Sequence, residues 1–342
     1  MQPAILEQVR TSLLGKRAAL SQWLTGTPAA ARAVQLGPAA ETEVAEHLDH
    51  LDGYLATAAA GELGRCTICH DFVESERLVA DYTAGVCLDH LSGEEAAGLE
   101  RELEMAQVVQ QALLPSDVPD LPGAQVAAFT RPAQIIGGDY FDFIDYQHGA
   151  LGWAVGDVAG HGVSAGLHMA GVQALCRAVI PASDGPAAAA EQVQRLFVHN
   201  SRYTTFVSLF LAAFEPARRR LTYCNAGHNP PLLLRPEGAG HPAPRWLHPT
   251  GPAIGLIEQA TYAQESFPVN PGDLLIMYTD GLVEAVGAEG EAFEASRLAE
   301  VAAGVGNASP AEVIRAVTQS LDAFLGGRGL ADDLTLLVVR FE

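Results

Sequence analysis

Apolar runs in the second half of this chain meet aspartates at their ends, and those aspartates lie far apart in sequence. Asp157 follows the run from Leu151 to Val155, inside Gly156-Asp157-Val158-Ala159-Gly160-His161-Gly162. Asp280 follows the run from Leu274 to Tyr278, inside Tyr278-Thr279-Asp280-Gly281. Asp332 and Asp333 precede the run from Leu334 to Val339, and Asp139 sits in Gly137-Gly138-Asp139-Tyr140. A carboxylate at a strand end is held by a rigid element yet faces the sheet edge. A fold that brings these edges together makes a hard, oxygen-only site of the kind Mg²⁺ or Mn²⁺ prefers. Two such ions about 3.5–4 Å apart activate water for phosphate hydrolysis. An Asp-Gly pair alone is first a turn signal. Among Asp139, Asp157, Asp280 and Asp332, however, only Asp280 precedes a glycine, and a simple hairpin has no need of the Gly-His-Gly loop after Asp157.

These aspartates fall within a longer ordered set of motifs. Glu104-Met105-Ala106-Gln107 leads to Leu113-Leu114-Pro115, and Arg131-Pro132 precedes Gly137-Gly138-Asp139-Tyr140-Phe141-Asp142. The Asp157 loop follows, then Asn225-Ala226-Gly227-His228-Asn229-Pro230-Pro231, Thr279-Asp280-Gly281-Leu282-Val283-Glu284 and Asp332-Asp333-Leu334-Thr335. From Leu99 to Glu342 the chain resembles the PPM-type metal-dependent serine/threonine phosphatases, in the bacterial branch of SpoIIE and RsbU. The resemblance implies an α+β fold, a sandwich of two antiparallel sheets flanked by helices with two Mn²⁺ or Mg²⁺ ions at one end. It implies that Asp157 bridges both ions, that the Val158 carbonyl ligates one, and that Asp139 holds the first ion. Asp280 and Asp332 would complete the second, with Asp333 the neighbouring candidate, either a ligand itself or a residue that orients one. It also implies a phosphoprotein substrate similar to the phosphorylated anti-sigma-factor antagonists of this branch.

The implied chemistry is attack of an activated water on phosphoserine or phosphothreonine, with no covalent phosphoenzyme. Consistent with that, there is no Cys-x5-Arg arrangement: Ala182 stands six residues after Cys176, and Pro230 six after Cys224. Arg131 is either a phosphate clamp or a surface residue. His161 is either a general acid or a residue that fixes its loop, and His228 reads as part of a turn between strands. The branch usually carries Phe-Gly where this chain has Phe293-Glu294.

Upstream, Cys66-Thr67-Ile68-Cys69 and Cys87-Leu88-Asp89-His90 give two ligand pairs with zinc spacing, so Cys66, Cys69, Cys87 and His90 are expected to bind one structural Zn²⁺. His70 is a rival fourth ligand, but it adjoins Cys69. The stretch from Gly61 to Cys69, with Glu76-Arg77-Leu78-Val79-Ala80 and Cys87, resembles the zinc finger of the DksA/TraR family, whose last ligand is usually Cys. Those proteins place a helical hairpin before the finger, and helices are expected here from Pro3 to Leu24 and from Glu41 to Ala60, with a turn near Gly26 to Pro38. The family's acidic hairpin tip is missing from Leu36-Gly37-Pro38-Ala39-Ala40. Cys176 and Cys224 stand alone in apolar contexts, as buried small hydrophobes do.

The domain reading is therefore a helical hairpin over 1–60, a zinc finger over 61–91, a linker or switch helix over 92–115 and a phosphatase domain over 116–342. Ser92-Gly93-Glu94-Glu95 reads as a capping box. In the helix it opens, Leu99, Leu103, Ala106, Val109 and Leu113 form a stripe that either packs on its own domain or pairs with a second copy as a coiled coil. Strands are expected over 125–130, 151–157, 206–214, 220–224, 231–234, 274–279 and 334–341. Helices are expected over 163–179, 187–200 and 310–325. The last has Ser309 and Glu312 as a capping box, Pro310 at its first position and Gly326-Gly327 at its end.

Charge narrows the function classes. Against 20 Lys+Arg stand 41 Asp+Glu, a formal charge of −21, which argues against a non-specific nucleic-acid or anionic-membrane surface. No stretch approaches about 18 uninterrupted apolar residues, so no spanning helix is expected. The N-terminus lacks the pattern of a signal peptide, and a cytoplasmic protein is the default expectation. The alternatives to a phosphatase are a phosphatase-fold signalling module without turnover, and a transcription regulator acting through the zinc hairpin.

Overall fold

The computed structural model describes residues 3–26, 40–74, 77–78, 82–119, 121–160, 162–201, 205–236 and 243–342. The chain divides into two units, Met1–Arg101 and Glu102–Glu342.

In the first unit, α1 (Pro3–Gly26) and α2 (Ala40–Ala59) pair as a hairpin. Val9 and Leu13 meet Leu51 and Ala58, and Leu63 and Leu78 close the cluster from the segment beyond. The expected hairpin tip lies outside the described residues, as do Glu76, Val79 and Ala80. Among the described residues of the Cys66–His90 segment are an Arg65↔Phe72 bridge, helical residues at 77–78 and a 3₁₀ turn at Leu88–His90.

Helix α3 (Gly93–Leu113) begins in the first unit and ends in the second. The side chain of Glu95, the expected capping partner, lies outside the described residues. The apolar stripe is divided. Leu103, Ala106 and Leu113 are half-buried, whereas Val109 joins Met105 and Val108 among the exposed apolar residues.

The second unit holds β1 (Ala124–Arg131), β2 (Asp139–Phe143), β3 (Leu151–Val158), β4 (Val207–Glu215), β5 (Arg220–Ala226), β6 (Leu232–Arg235), β7 (Ala243–Trp246), β8 (Glu265–Pro268), β9 (Leu274–Tyr278) and β10 (Leu334–Phe341). They form two antiparallel sheets, in the orders β1-β10-β9-β6-β7 and β2-β3-β4-β5-β8. The inner faces meet through Phe141, Trp153, Phe210 and Tyr223 from one sheet and Leu275, Met277, Leu337 and Phe341 from the other. The outer face of the β3 sheet is covered by α4 (Gly162–Val179) and α5 (Pro186–Ser201). The outer face of the β10 sheet is covered by α7 (Glu294–Gly304) and α8 (Pro310–Leu325). A short α6 (Asp280–Val283) follows β9. This is the α+β sandwich expected from the sequence.

The 162–182 segment is long and apolar enough to cross a membrane by composition alone. Its apolar face instead packs on β2 and β3, with Met169, Val172 and Cys176 fully buried. At α8 both halves of the Ser309/Glu312 capping box form, and Gly326 takes the left-handed conformation at φ 60°.

Strands β2, β7 and β8 and helices α6 and α7 were not anticipated. Strand β2 reads Asp-Tyr-Phe-Asp-Phe, with its first four residues buried, and two aspartates in five residues obscure any strand signal. Strands β7 and β8 are four-residue edge strands that contain proline, a residue that edges tolerate and that weakens a strand signal.

Candidate metal centre

The antiparallel pairing of β2 and β3 puts the start of one strand beside the end of the other, so Asp139 faces Asp157 directly across the ladder. In the second sheet β9 and β10 do the same, and Asp280 just past one lies near Asp332 and Asp333 just before the other. Both ends open at the same edge of the sandwich. Thr279 ties them together: its hydroxyl lies 2.8 Å from Asp139 Oδ2, and it accepts the Thr335 N–H at 2.8 Å. Where Gly281 begins α6, a Cβ would collide with the Asp333 carbonyl, so only glycine lets the two segments approach this closely.

The electrostatics follow from this convergence. Burial first, and Asp157 second, push the Asp139 carboxyl well above its ordinary range. Asp157 is pushed up to about 7 by burial, then by Asp280 and Asp332. Asp280 is pushed up to about 6 by burial, then by Asp332 and Glu284. Burial also raises Asp333. Every principal destabilising influence is burial or another carboxylate, and no arginine or lysine among the described residues pairs with Asp139, Asp157, Asp280 or Asp332. A cluster of oxygen donors whose negative charge lacks a counter-ion fits a hard divalent cation.

Asp332 is exposed and Asp333 is buried, and they do different things. Asp333 accepts the Ala133 N–H at 2.8 Å through Oδ1 and the Gly138 N–H at 2.6 Å through Oδ2. It anchors the loop that leads into Asp139. Gln110 of α3 grips the same loop from the other side: its Nε2 donates to the Gly137 carbonyl at 2.5 Å and its Oε1 accepts the Gly137 N–H at 3.0 Å. A side chain at Gly137 would strike the Asp333 carboxylate. Neither Gln110 nor Thr279 stood out in the sequence. Both sit inside the quoted motifs or beside them, but only the fold reveals their partners.

The remaining candidates fall elsewhere. Arg131 pairs with Asp322 of α8 at 2.7 Å and lies over Phe129, so its guanidinium is engaged with the outer helix. His161 lies outside the described residues. His228 is buried between the sheets.

In the first unit, Cys66, Cys69, Cys87 and His90 bring their ligand atoms within 4.8 Å of one another. Cys69 Sγ lies 3.8 Å from Cys87 Sγ, and Cys66 Sγ lies 3.9 Å from His90 Nδ1. A tetrahedral ion with arms of about 2.3 Å produces sulfur–sulfur edges of about 3.8 Å, so the donor set fits Zn²⁺. His70 turns away, exposed and left-handed at φ 61°.

The family model for Stage II sporulation protein E (SpoIIE) matches residues 147–342, over half of the chain. Protein IcfG of Synechocystis sp. (strain ATCC 27184 / PCC 6803 / Kazusa) is 30% identical over 267 residues, which cover 70% of this chain and 41% of that protein. Phosphoserine phosphatase RsbU of Bacillus subtilis (strain 168) is 26% identical over 242 residues, covering 71% of this chain and 70% of that protein. Among solved structures, the SiaA-PP2C domain of Pseudomonas aeruginosa superposes with a TM-score of 0.65 at 24% identity, covering 72% of this chain and 98% of that domain, and so shares its fold.

Proposed function

The chain belongs to the SpoIIE family, in the PPM-type phosphatase branch of SpoIIE and RsbU, and from that premise we propose that it hydrolyses phosphoserine and phosphothreonine on proteins. Two Mn²⁺ or Mg²⁺ ions would be held by Asp139, Asp157, the Val158 carbonyl, Asp280 and Asp332. The observation that carries this reading is the convergence of buried and half-buried carboxylates from two sheets with no cationic partner among the described residues. When bound, the ions would supply a water of lowered pKa and offset charge on the phosphoryl oxygens. The chain's own contribution is positioning. Thr279 holds Asp139 in place, Asp333 and Gln110 hold the loop before it, and the glycines leave room for a phosphate to approach main chain.

The substrate class follows from the family: a phosphoprotein, with phosphorylated anti-sigma-factor antagonists as the expected kind. The first unit would bind one Zn²⁺ at Cys66, Cys69, Cys87 and His90 and regulate the phosphatase. The grip of Gln110 on Gly137 supports α3 as the coupling element, since any shift of that helix moves the Asp139 loop. The exposed Met105, Val108 and Val109 support a second copy of the chain along α3, which sedimentation would detect as a dimer.

Turnover of p-nitrophenyl phosphate and of a phosphoserine peptide, with and without Mn²⁺, tests the main reading. Asp157→Ala should lower kcat/KM on the order of 10³-fold, the several kcal/mol that such ions supply. Equal turnover by the variant and the wild type sinks the reading. No turnover by either leaves a signalling module built on the phosphatase fold.

A further inference from the structure

The turn between β5 and β6 carries a histidine that the proposed chemistry does not use. His228 is 2% exposed and is locked from its own main chain, whose N–H donates to Asn225 Oδ1 at 2.7 Å. Asn225 is itself fully buried, with Nδ2 on the Leu247 carbonyl at 3.0 Å. This much would suffice for a turn. The imidazole does more.

Its Nδ1 lies 2.7 Å from Ser208 Oγ. Ser208 stands on β4 directly opposite Asp157 in the β3–β4 register. Its Nε2 is buried with no partner at hydrogen-bonding distance, although the Tyr278 main chain is close enough to favour the protonated ring. Tyr278 ends β9, two residues before Asp280. The pairing Leu232↔Ile276 between β6 and β9, carried two residues further, brings Pro230 opposite Tyr278. Proline has no N–H to give, so the Tyr278 carbonyl needs another donor on that side. Burial pushes the imidazole down to about 4, so the ring is neutral and one nitrogen alone carries a proton.

We infer that His228 is a positioning residue: a neutral imidazole whose Nδ1 accepts from Ser208 beside Asp157 and whose Nε2–H faces the Tyr278 main chain before Asp280, so that it pins the two sheets at the separation the carboxylates need. The inference rests on the reading of that cluster as a metal site. The physical need is clear from the rest of the interface. The buried layer between the sheets is apolar and its contacts are non-directional, so polar ties at its edges set the register of one sheet on the other. Near the carboxylates, Thr279 to Asp139 and Gly138 to Asp333 are directional ties across it, and His228 supplies a further one.

The test compares His228→Gln, His228→Leu and Ser208→Ala in the full-length protein. Glutamine can keep a donor at the Nε2 position; leucine fills the space without one. Calorimetric Mn²⁺ binding should weaken about 10–100-fold in His228→Leu, as when a metal site loses an orienting partner. It should weaken less in Ser208→Ala, and stay within a few-fold of wild type in His228→Gln. The readout that distinguishes positioning from filling is this affinity set against the thermal midpoint of the metal-free protein. A His228→Leu variant that loses only stability, with wild-type Mn²⁺ affinity, overturns the inference. Nitrogen NMR of the metal-free wild type supplies an independent check. The Nε2–H tautomer at neutral pH supports the pin, and an Nδ1–H tautomer or a charged ring overturns it whatever the metal does. If the wild type binds no Mn²⁺ at all, the metal reading falls and this inference falls with it.

Discussion

Between Cys66 and His90, four ligand atoms come within 4.8 Å of one another inside one short segment, whereas the carboxylates are drawn from strand ends that run from Asp139 to Asp333. The surroundings differ as much as the spacing. Around the cysteines the apolar cluster is small: Cys66, Val73, Ala84 and Cys87, with Cys69 and Val86 against it. So few buried groups cannot offset the entropy of ordering the segment, and the ligands themselves make up half of that core. Around the carboxylates, two sheets and their covering helices set the strand ends through packing that contains none of the carboxylate side chains. In the first region an ion would make the fold. In the second the fold would make a site for an ion and bear the repulsion until one bound.

The largest test of this contrast is removal of zinc. Structural zinc contributes about 10–16 kcal/mol of binding free energy in small zinc modules. Cys69→Ser, or a strong chelator, should therefore abolish bound zinc by atomic absorption and remove amide-exchange protection from 66–90, while the β-sandwich keeps its protection. A zinc-free protein in which 66–90 stays protected breaks the comparison.

The second test reverses it. Without metal, burial and then the neighbouring carboxylates push Asp157 up to about 7 and Asp280 up to about 6, above the ordinary 3.8 of the unfolded chain. The folded state then binds more protons than the unfolded state between those values, and stability falls as pH rises from about 4 through about 7. Asp157→Asn removes one repelled charge and should raise metal-free stability at neutral pH by on the order of 2 kcal/mol, after allowance for partial solvent exposure. Saturating Mn²⁺ should abolish the pH slope. A metal-free melting midpoint that rises across this window contradicts the crowding of charge inferred from the geometry.

The two regions also differ in how much of them the sequence revealed. Cys-x2-Cys and Cys-x2-His declare themselves because their partners are neighbours, and the choice of His90 over His70 follows from the strain of adjacent ligands. The aspartates were legible as strand-end acids, since the apolar runs before Asp157 and Asp280 read as strands. What could not be read was which side chains hold them. Gln110 and Gly137 are separated by a loop and a strand, and Asp333 reaches the Gly138 N–H from the far end of the chain. Such contacts depend on register and sheet order, which no local pattern encodes. The edge strands β7 and β8 escaped for a different reason, being short and proline-containing.

A smaller effect probes the seam between α3 and the second region. Gln110→Ala removes both hydrogen bonds to Gly137 but touches no carboxylate. It should weaken Mn²⁺ binding about tenfold by calorimetry, the lower end of what orienting partners contribute, with little change in the thermal midpoint. Unchanged affinity shows that Asp333 alone fixes the loop, and that α3 has no lever on the site.

The smallest effect sets one backbone problem in both regions side by side. His70 at φ 61° and Glu294 at φ 65° are non-glycine residues in the left-handed region. For an L-residue that conformation costs about 1–2 kcal/mol, part of which a glycine gives back through its freer unfolded chain. Glu294 follows the buried Phe293 at the start of α7, at the position where the branch usually carries glycine; its side chain is exposed and meets Ser296 Oγ at 3.4 Å, and the packed Phe293 beside it fixes the turn. Glu294→Gly should raise the thermal midpoint of the second unit, by about 1 kcal/mol or less in free energy. His70 closes the turn after Cys69, with its N–H on the Cys66 carbonyl at 2.9 Å, inside a loop whose ends a bound ion would fix. There the chain has little freedom to recover, and His70→Gly should change zinc-bound stability by less than its counterpart does. If the knuckle variant gains as much as the packed one, the ion is not what orders that turn, and the contrast between a fold made by its metal and a site made by its fold is lost.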